Sequence, residues 1–214
     1  MQFRDRESAG EELAAELVRE QSINELEKKN LVVVAIPRGG VVVGKVVAKN
    51  LGVRQSVVVT KKLGAPGMEE LALGAVAEDG EAVVDENLVA RLGVEEDYIR
   101  NEVRRVQQKI KDYVRKFRGE KKLQVSGKTV VVVDDGVATG ATIKAAIKWL
   151  REKTAGKVIV AAPVCAIEAA RELEELADGV ICLETPENFS AVGQFYENFP
   201  QVTDEEVVEI LSNQ

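Results

Sequence analysis

The sequence predicts an α/β fold: a parallel sheet of about five strands flanked by helices. Three observations carry that expectation. β-Branched runs recur, each followed by a helical pattern: Leu31-Val-Val-Val-Ala-Ile36 before 41–51, Val130–Val133 before 143–150, and Lys157–Val164 before 166–176. Strands apolar on both faces must be covered on both faces, which is the habit of parallel sheets with helical crossovers. The first two runs also end in tight turns, Pro37-Arg38-Gly39-Gly40 and Ala138–Thr142, and an open α/β sheet binds its ligands at such carboxyl ends. Finally, 214 residues with 45% hydrophobic content suffice for one sizeable core.

Taken in order, residues 8–29 read as a first helix, with Ala9, Leu13, Leu17 and Leu26 on one side and Asn30 ending it. Strand 31–36 and helix 41–51 follow, then a third strand, Gln55–Thr60. The stretch Lys61-Lys62-Leu63-Gly64-Ala65-Pro66-Gly67 reads as a mobile loop able to close over a neighbouring site. Leu71–Val76 and Ala82–Val84 are expected as a hairpin on the edge of the sheet. Helices follow over 86–92 and 95–118. The longer one opens on Glu95, Glu96 and Asp97 and closes on Arg115, Lys116 and Arg118, as the helix macrodipole prefers. Its stripe Ile99, Val103, Val106, Ile110, Val114, Phe117 is expected to pack on the core, a homodimer seam being the lesser alternative, and its lysines and arginines to form a solvated face.

Beyond Val130–Val133, strands at 157–164 and 179–183 bracket a helix over 166–176. The composition then changes: Phe189, Phe195, Tyr196 and Phe199 gather around Gly193, and packing among themselves is their expected use. Thr203 followed by Glu206 forms a capping box for a last helix, Asp204–Leu211. The chain thus divides into a core, 1–184, and a C-terminal segment with its helix, 185–214, within one domain.

Net charge is −7 and the sequence pI about 5.0, which argues against indiscriminate binding to nucleic acid or an anionic membrane. No apolar run approaches the roughly 20 residues of a membrane span, and the first residues lack a signal peptide's apolar core, so a cytoplasmic protein is expected. Cys165 and Cys182 are expected as buried, reduced thiols. The sequence has no histidine, which excludes a His general base and His-ligated zinc.

The chemistry concentrates in 130–142, Val-Val-Val-Val-Asp-Asp-Gly-Val-Ala-Thr-Gly-Ala-Thr. A helix amino terminus offers unpaired N–H groups and the positive end of the macrodipole, so it attracts a phosphate. Gly140, Ala138 and Ala141 allow close backbone approach, and Thr139 and Thr142 add hydroxyl donors. Asp134 and Asp135 cannot bind that phosphate, but they can accept hydrogen bonds from the vicinal hydroxyls of a ribose, each worth about 1.5–3 kcal/mol.

This segment resembles the phosphoribosyl-pyrophosphate (PRPP) motif of the type I phosphoribosyltransferases in order and spacing throughout, and Pro37-Arg38-Gly39-Gly40 resembles their pyrophosphate loop. The layout is most similar to the bacterial and archaeal members whose acceptor is unsettled. The resemblance implies transfer of 5-phosphoribosyl from PRPP to a nucleobase-like acceptor with release of pyrophosphate. Asp134 and Asp135 would hold the ribose hydroxyls, residues 138–142 the 5′-phosphate, and Arg38 with the Gly39 and Gly40 amides the pyrophosphate, with Gly136 and Val137 completing the PRPP-binding set. Lys61 or Lys62 would meet the leaving group. Mg²⁺ would ride mainly on PRPP, with no direct protein ligand. The 185–214 segment would be the hood over the acceptor, with Phe189, Phe195 and Tyr196 near it.

The resemblance also implies a cis peptide at Pro37–Arg38 or Arg38–Gly39. One departure stands out: hypoxanthine-guanine enzymes carry an aspartate where this chain has Ala138, which speaks against that subclass. A regulator sensing PRPP or a nucleotide on the same fold is the second reading, with nucleic acid as a partner disfavoured by the acidic charge.

Overall fold

The computed structural model describes residues 2–20, 23 and 25–213. Five parallel strands form the main sheet: β1 (Leu31–Ala35), β2 (Gln55–Val57), β6 (Thr129–Val133), β7 (Lys157–Val164) and β8 (Gly179–Glu184), in the order β2-β1-β6-β7-β8. β1 and β6 run in register, Leu31 opposite Thr129 and Ala35 opposite Val133. From β1 the chain steps outward to β2, whereas from β6 it steps the other way to β7 and β8. The strand order therefore reverses between β1 and β6, and a crevice opens outside their carboxyl ends.

Both faces of the sheet are covered, which is why β6 is apolar throughout and buried at all five positions. On one face lie α1 (Arg6–Arg19) and α2 (Gly40–Leu51), with Leu13, Leu17, Val43 and Val47 packed on Val33, Val131 and Val133. On the other lie α5 (Ala141–Glu152) and α6 (Ile167–Glu174), packed on Val130, Val132, Val158 and Val160 through Ile143, Ile147, Leu150 and Leu173.

The first helix stops at Arg19, short of the expected 29. Beyond it the Ile23 N–H donates to Glu20 O and the Leu26 N–H to Ile23 O, and Ile23 and Leu26 still reach the α1–α2 core. Positions 21, 22 and 24 of the expected helix lie outside the described residues.

A second departure concerns 61–84. The lysine loop is a strand, β3 (Lys61–Ala65), paired antiparallel with β4 (Met68–Val76), which in turn pairs with β5 (Ala82–Val84). These three strands form their own sheet rather than an edge of the main one. Pro66 and Gly67, the signals for a loop, make the turn, and Leu63, Ala65, Leu73 and Val76 bury one face. That face packs against α4 (Glu96–Arg118), which follows α3 (Glu86–Leu92); Val106, Ile110 and Phe117 of the apolar stripe are buried there. Arg118 is not solvated as expected but turned inward, its guanidinium 2.6 Å from the Glu78 carboxylate and bonded to Val57 O.

Cys165 and Cys182 form a disulfide rather than two thiols. β7 and β8 are neighbours with Ala162 opposite Cys182, and Cys165 lies just past the end of β7. The two Cα atoms are 6.1 Å apart, within the span that an S–S bond needs. Sequence spacing alone does not reveal which strands are adjacent.

The C-terminal segment folds back on the amino terminus. Phe3 N–H donates to Phe195 O and Glu197 N–H to Phe3 O, while Phe3, Phe195, Tyr196 and Val164 close a small aromatic core with Phe189 and Phe199 at its edge. α7 (Asp204–Ser212) ends the fold, capped reciprocally by Thr203 and Glu206.

Candidate functional site

A cavity of about 250 Å³ opens at the reversal point between β1 and β6. The turn after β1 lines it with Pro37, Arg38 and Gly39, and the turn after β6 with Asp134–Gly140 and Thr142; Lys62 of β3 and Val192 close the sides. Gly40 and Ala141 stand just behind the lining residues. Lys61 faces a neighbouring cleft instead, and Phe189, Phe195 and Tyr196 do not line the cavity.

The two turns interlock, and glycine is what lets them. A β-carbon at Gly39 would sit 1.8 Å from Asp135 Oδ2, and one at Gly40 would sit 2.8 Å from Val133 O. Gly136 likewise makes room for Val192, which a β-carbon there would approach to 2.4 Å. Gly140 takes φ +69° at the cap of α5, which turns the chain from the loop into the helix. The Pro37–Arg38 peptide is cis.

Among the described residues, no hydrogen bond within the chain engages the amides of Ala138, Thr139, Gly140 or Thr142; only the Ala141 N–H leans on Thr139 Oγ1, at 3.4 Å. The amides of Arg38, Gly39 and Gly40 are equally open. Most of these open amides belong to residues that line the cavity, at an amino terminus whose dipole is positive, so the surface suits an anion.

The two acids are held differently. Asp135 Oδ2 accepts from Arg6 Nε at 2.7 Å, both side chains being largely buried. Arg6 also donates to Pro200 O at 2.7 Å, and its Cζ lies over the Phe199 ring, 3.7 Å from the centroid. The Asp135 N–H donates to Asp134 Oδ1 at 2.9 Å, and Tyr196 Oη donates to Asp135 O at 2.6 Å. Burial first, and then the charge of Asp135, push the Asp134 carboxyl well above the ordinary aspartate value. Burial likewise raises the Tyr196 phenol, so it stays a donor.

These bonds engage Asp135 Oδ2 and Asp134 Oδ1, and the two neighbouring carboxyl groups also lean on each other, which adds to the rise at Asp134. Arg6, Tyr196 and Val192 carry no motif of their own. Arg6 reads in the sequence as one more charge at the start of an amphipathic helix, 129 positions from its partner.

On the other rim, Arg38 approaches Asp204 at 3.6 Å, and Lys116 holds the same carboxylate at 3.0 Å. Lys61 lies over the Tyr113 ring at 4.2 Å. Burial foremost, then the like charges of Arg38 and Lys109, lower its ammonium from the usual value against the pull of Asp204.

Fold and cavity together define a class: an open parallel-sheet protein, covered on both faces, whose site lies where the strand order reverses. Within that class, the chain belongs to the phosphoribosyl transferase domain family, whose model matches residues 3–200. It is 40% identical over 210 residues to proteins of two Mycobacterium tuberculosis strains, provisionally named phosphoribosyl transferases. That match covers 98% of this chain and 46% of theirs, so the chain spans about half the length of the curated relatives it matches. The crystal structure of TT1426 from Thermus thermophilus is similar over 100% of this chain and 99% of that one, at 40% identity and a TM-score of 0.80. The AQ2163 protein of Aquifex aeolicus shares the fold at 15% identity, with a TM-score of 0.54 over 88% of this chain and 78% of that one.

Proposed function

We propose that this protein transfers the 5-phosphoribosyl group of PRPP to a nucleobase-like acceptor and releases pyrophosphate. What carries the reading is the cavity between β1 and β6. There, two turns with open amides face each other across the Asp134–Asp135 pair. Family membership supports a transferase of this kind.

In this reading the 5′-phosphate lies on the amides and hydroxyls of 138–142. The carboxyl groups of Asp134 and Asp135 bond the ribose hydroxyls, and Arg38 with the Gly39 and Gly40 amides takes the pyrophosphate. The C1′–O bond to pyrophosphate breaks, its electron pair leaving with the pyrophosphate, and a bond forms from a ring nitrogen of the acceptor, whose proton passes to water. The transition state places positive charge on the ribose ring, so the ionised Asp135 beside it is favourable. Lys62, on the cavity wall, can meet the charge that develops on the leaving group. The carboxyl oxygens of Asp134 and Asp135 are hard donors of the kind Mg²⁺ prefers, and a bound Mg²⁺ would supply positive charge against the departing pyrophosphate.

The double variant Asp134→Asn with Asp135→Asn tests this. PRPP–Mg²⁺ affinity, measured by calorimetry, is expected to fall by about 100-fold, on the order of one lost ionised-acceptor bond at Asp135 together with a misplaced neighbour at Asp134, with the fold unchanged by circular dichroism. An unchanged affinity would remove the assigned role. Saturable PRPP binding without pyrophosphate release on any nucleobase would favour the sensor over the enzyme.

A further inference from the structure

Another cavity, of about 460 Å³, lies where β2 begins and the carboxyl ends of α4 and α7 come together. It shares no lining residue with the cavity between β1 and β6, nor with the cleft beside it. Its wall carries one sign of charge. Arg54, Arg115, Lys116, Arg118 and Lys121 line it, and no aspartate or glutamate does, in a chain of net charge −7. These cations come from three separate segments: the turn before β2, the end of α4 and the stretch after it. They therefore surround a volume rather than form one solvated stripe.

Two of the five are already answered. Lys116 holds Asp204 and Glu205, each at 3.0 Å, and Arg118 holds Glu78 at 2.6 Å. Arg54, Arg115 and Lys121 are exposed and have no carboxylate partner among the described residues. Helix dipoles account for part of the gathering, since basic residues suit a helix carboxyl end. The two ends carry about half a negative charge each, roughly one unit against three unpaired cations. Arg54 and Lys121 moreover lie outside the helices. An excess of positive charge remains on the wall, and like charges around one volume repel until an anion enters.

We propose that this cavity is a second anion site, one that takes a compact polyanion built of phosphate groups. Three cations from separate segments need several anionic oxygens spread through the volume, which a chain of phosphates offers and a single carboxylate does not. The two guanidinium groups supply forked, charge-assisted donors, and the Lys121 ammonium a point charge. Ser56, on the same wall, adds a hydroxyl. An inorganic phosphate chain and the phosphate tail of a nucleotide share this chemistry. The site stands apart from the phosphoribosyl-transfer reading and does not rest on it.

The test titrates the full chain with inorganic tripolyphosphate and with ATP, by calorimetry at about 0.1 M salt. Either probe can also enter the candidate site, so hydrogen–deuterium exchange locates the binding. Protection is expected at 54–57 and 115–121, with a Kd below about 0.1 mM. Arg54→Ser with Arg115→Ser should weaken tripolyphosphate there at least about tenfold, and Lys121→Ser about threefold. Both should leave PRPP–Mg²⁺ affinity within about twofold of the parent. Arg54→Lys with Arg115→Lys keeps the charge and loses the forks, so it should retain the site at an intermediate affinity. All three positions are exposed, and the melting temperature should not fall.

Equal affinity for the two probes identifies the phosphate chain itself as what is recognised, and tighter binding of ATP identifies a nucleotide; either result supports the site. No saturable binding of either probe, or protection confined to 38–40 and 138–142, overturns the inference. So does an affinity at 54–57 and 115–121 that survives Arg54→Ser with Arg115→Ser.

Discussion

The two rims of the candidate site are built on opposite plans. On the Asp134–Asp135 rim the polar groups are held from behind. Arg6 fixes Asp135, Tyr196 fixes its carbonyl, the Asp135 amide fixes Asp134, and the carbonyl of Pro200 fixes Arg6. Distant parts of the chain converge there, and little can move. On the β3–α4 rim Lys61, Lys62 and Lys109 have no carboxylate partner among the described residues, and a large cleft lies open. Binding groups held in advance lose less freedom when a ligand arrives. The first rim suits a ligand part that needs fixed placement, and the second leaves its neighbour room to settle.

That contrast can be broken most sharply at Gly39. A methyl there would meet Asp135 Oδ2 at 1.8 Å and Arg6 Nε at 2.9 Å, and neither can retreat without losing the other. Gly39→Ala is expected to weaken PRPP–Mg²⁺ binding by about 100-fold or more, the loss of a charged hydrogen bond and a misplaced acid together. Isothermal calorimetry reads it; an affinity within about threefold of the parent would mean that the rim is not rigid.

Arg6→Ala is the next largest. It strands the Asp135 carboxylate in a largely buried position, which typically costs about 3–5 kcal/mol of folding stability. Urea unfolding should show that loss, with Arg6→Lys recovering only part because lysine cannot donate to Asp135 and Pro200 in the same geometry. By contrast, Lys62→Ala on the open rim should change stability by less than about 0.5 kcal/mol. Equal losses for Arg6→Ala and Lys62→Ala would abolish the distinction. Tyr196→Phe is smaller again: it removes one hydrogen bond to Asp135 O, worth about 1 kcal/mol, and should be seen first as a modest fall in melting temperature.

Much of this was legible in the residues, and the reason is locality. The strand β6, its two acids and the turn into α5 are contiguous, and each is dictated by its own neighbours: β-branched residues, then acids, then small residues that open a helix. The family followed from the same short stretch, 130–142. What could not be read was whatever depended on which strands and termini are neighbours. Cys165 and Cys182 are joined because β7 and β8 pair, and Arg6 reaches Asp135 because α1 packs beside the sheet end. Lys61–Gly67 misled for a different reason. Gly64, Pro66 and Gly67 are loop signals, but the alternation that buries Leu63 and Ala65 on α4 only counts once α4 is in place.

The subtlest test lies inside the rigid rim, between its two acids. Asp134 has its carboxyl raised well above the unfolded-state value, by burial first and the charge of Asp135 second. In the interval between those two values the native state binds the proton that the unfolded chain has released. Stability from this group is therefore complete in acid and falls as pH rises through the raised native value, at no more than about 1.4 kcal/mol per pH unit. Asp134→Asn carries no such proton, and its amide oxygen can still accept from the Asp135 N–H. The variant should match the parent at low pH and become the more stable of the two as pH climbs, while binding PRPP less well throughout. Parallel stability curves from mild acid to about pH 8 would show that Asp134 is already ionised, and the two acids would then be equals rather than one held neutral beside its charged neighbour.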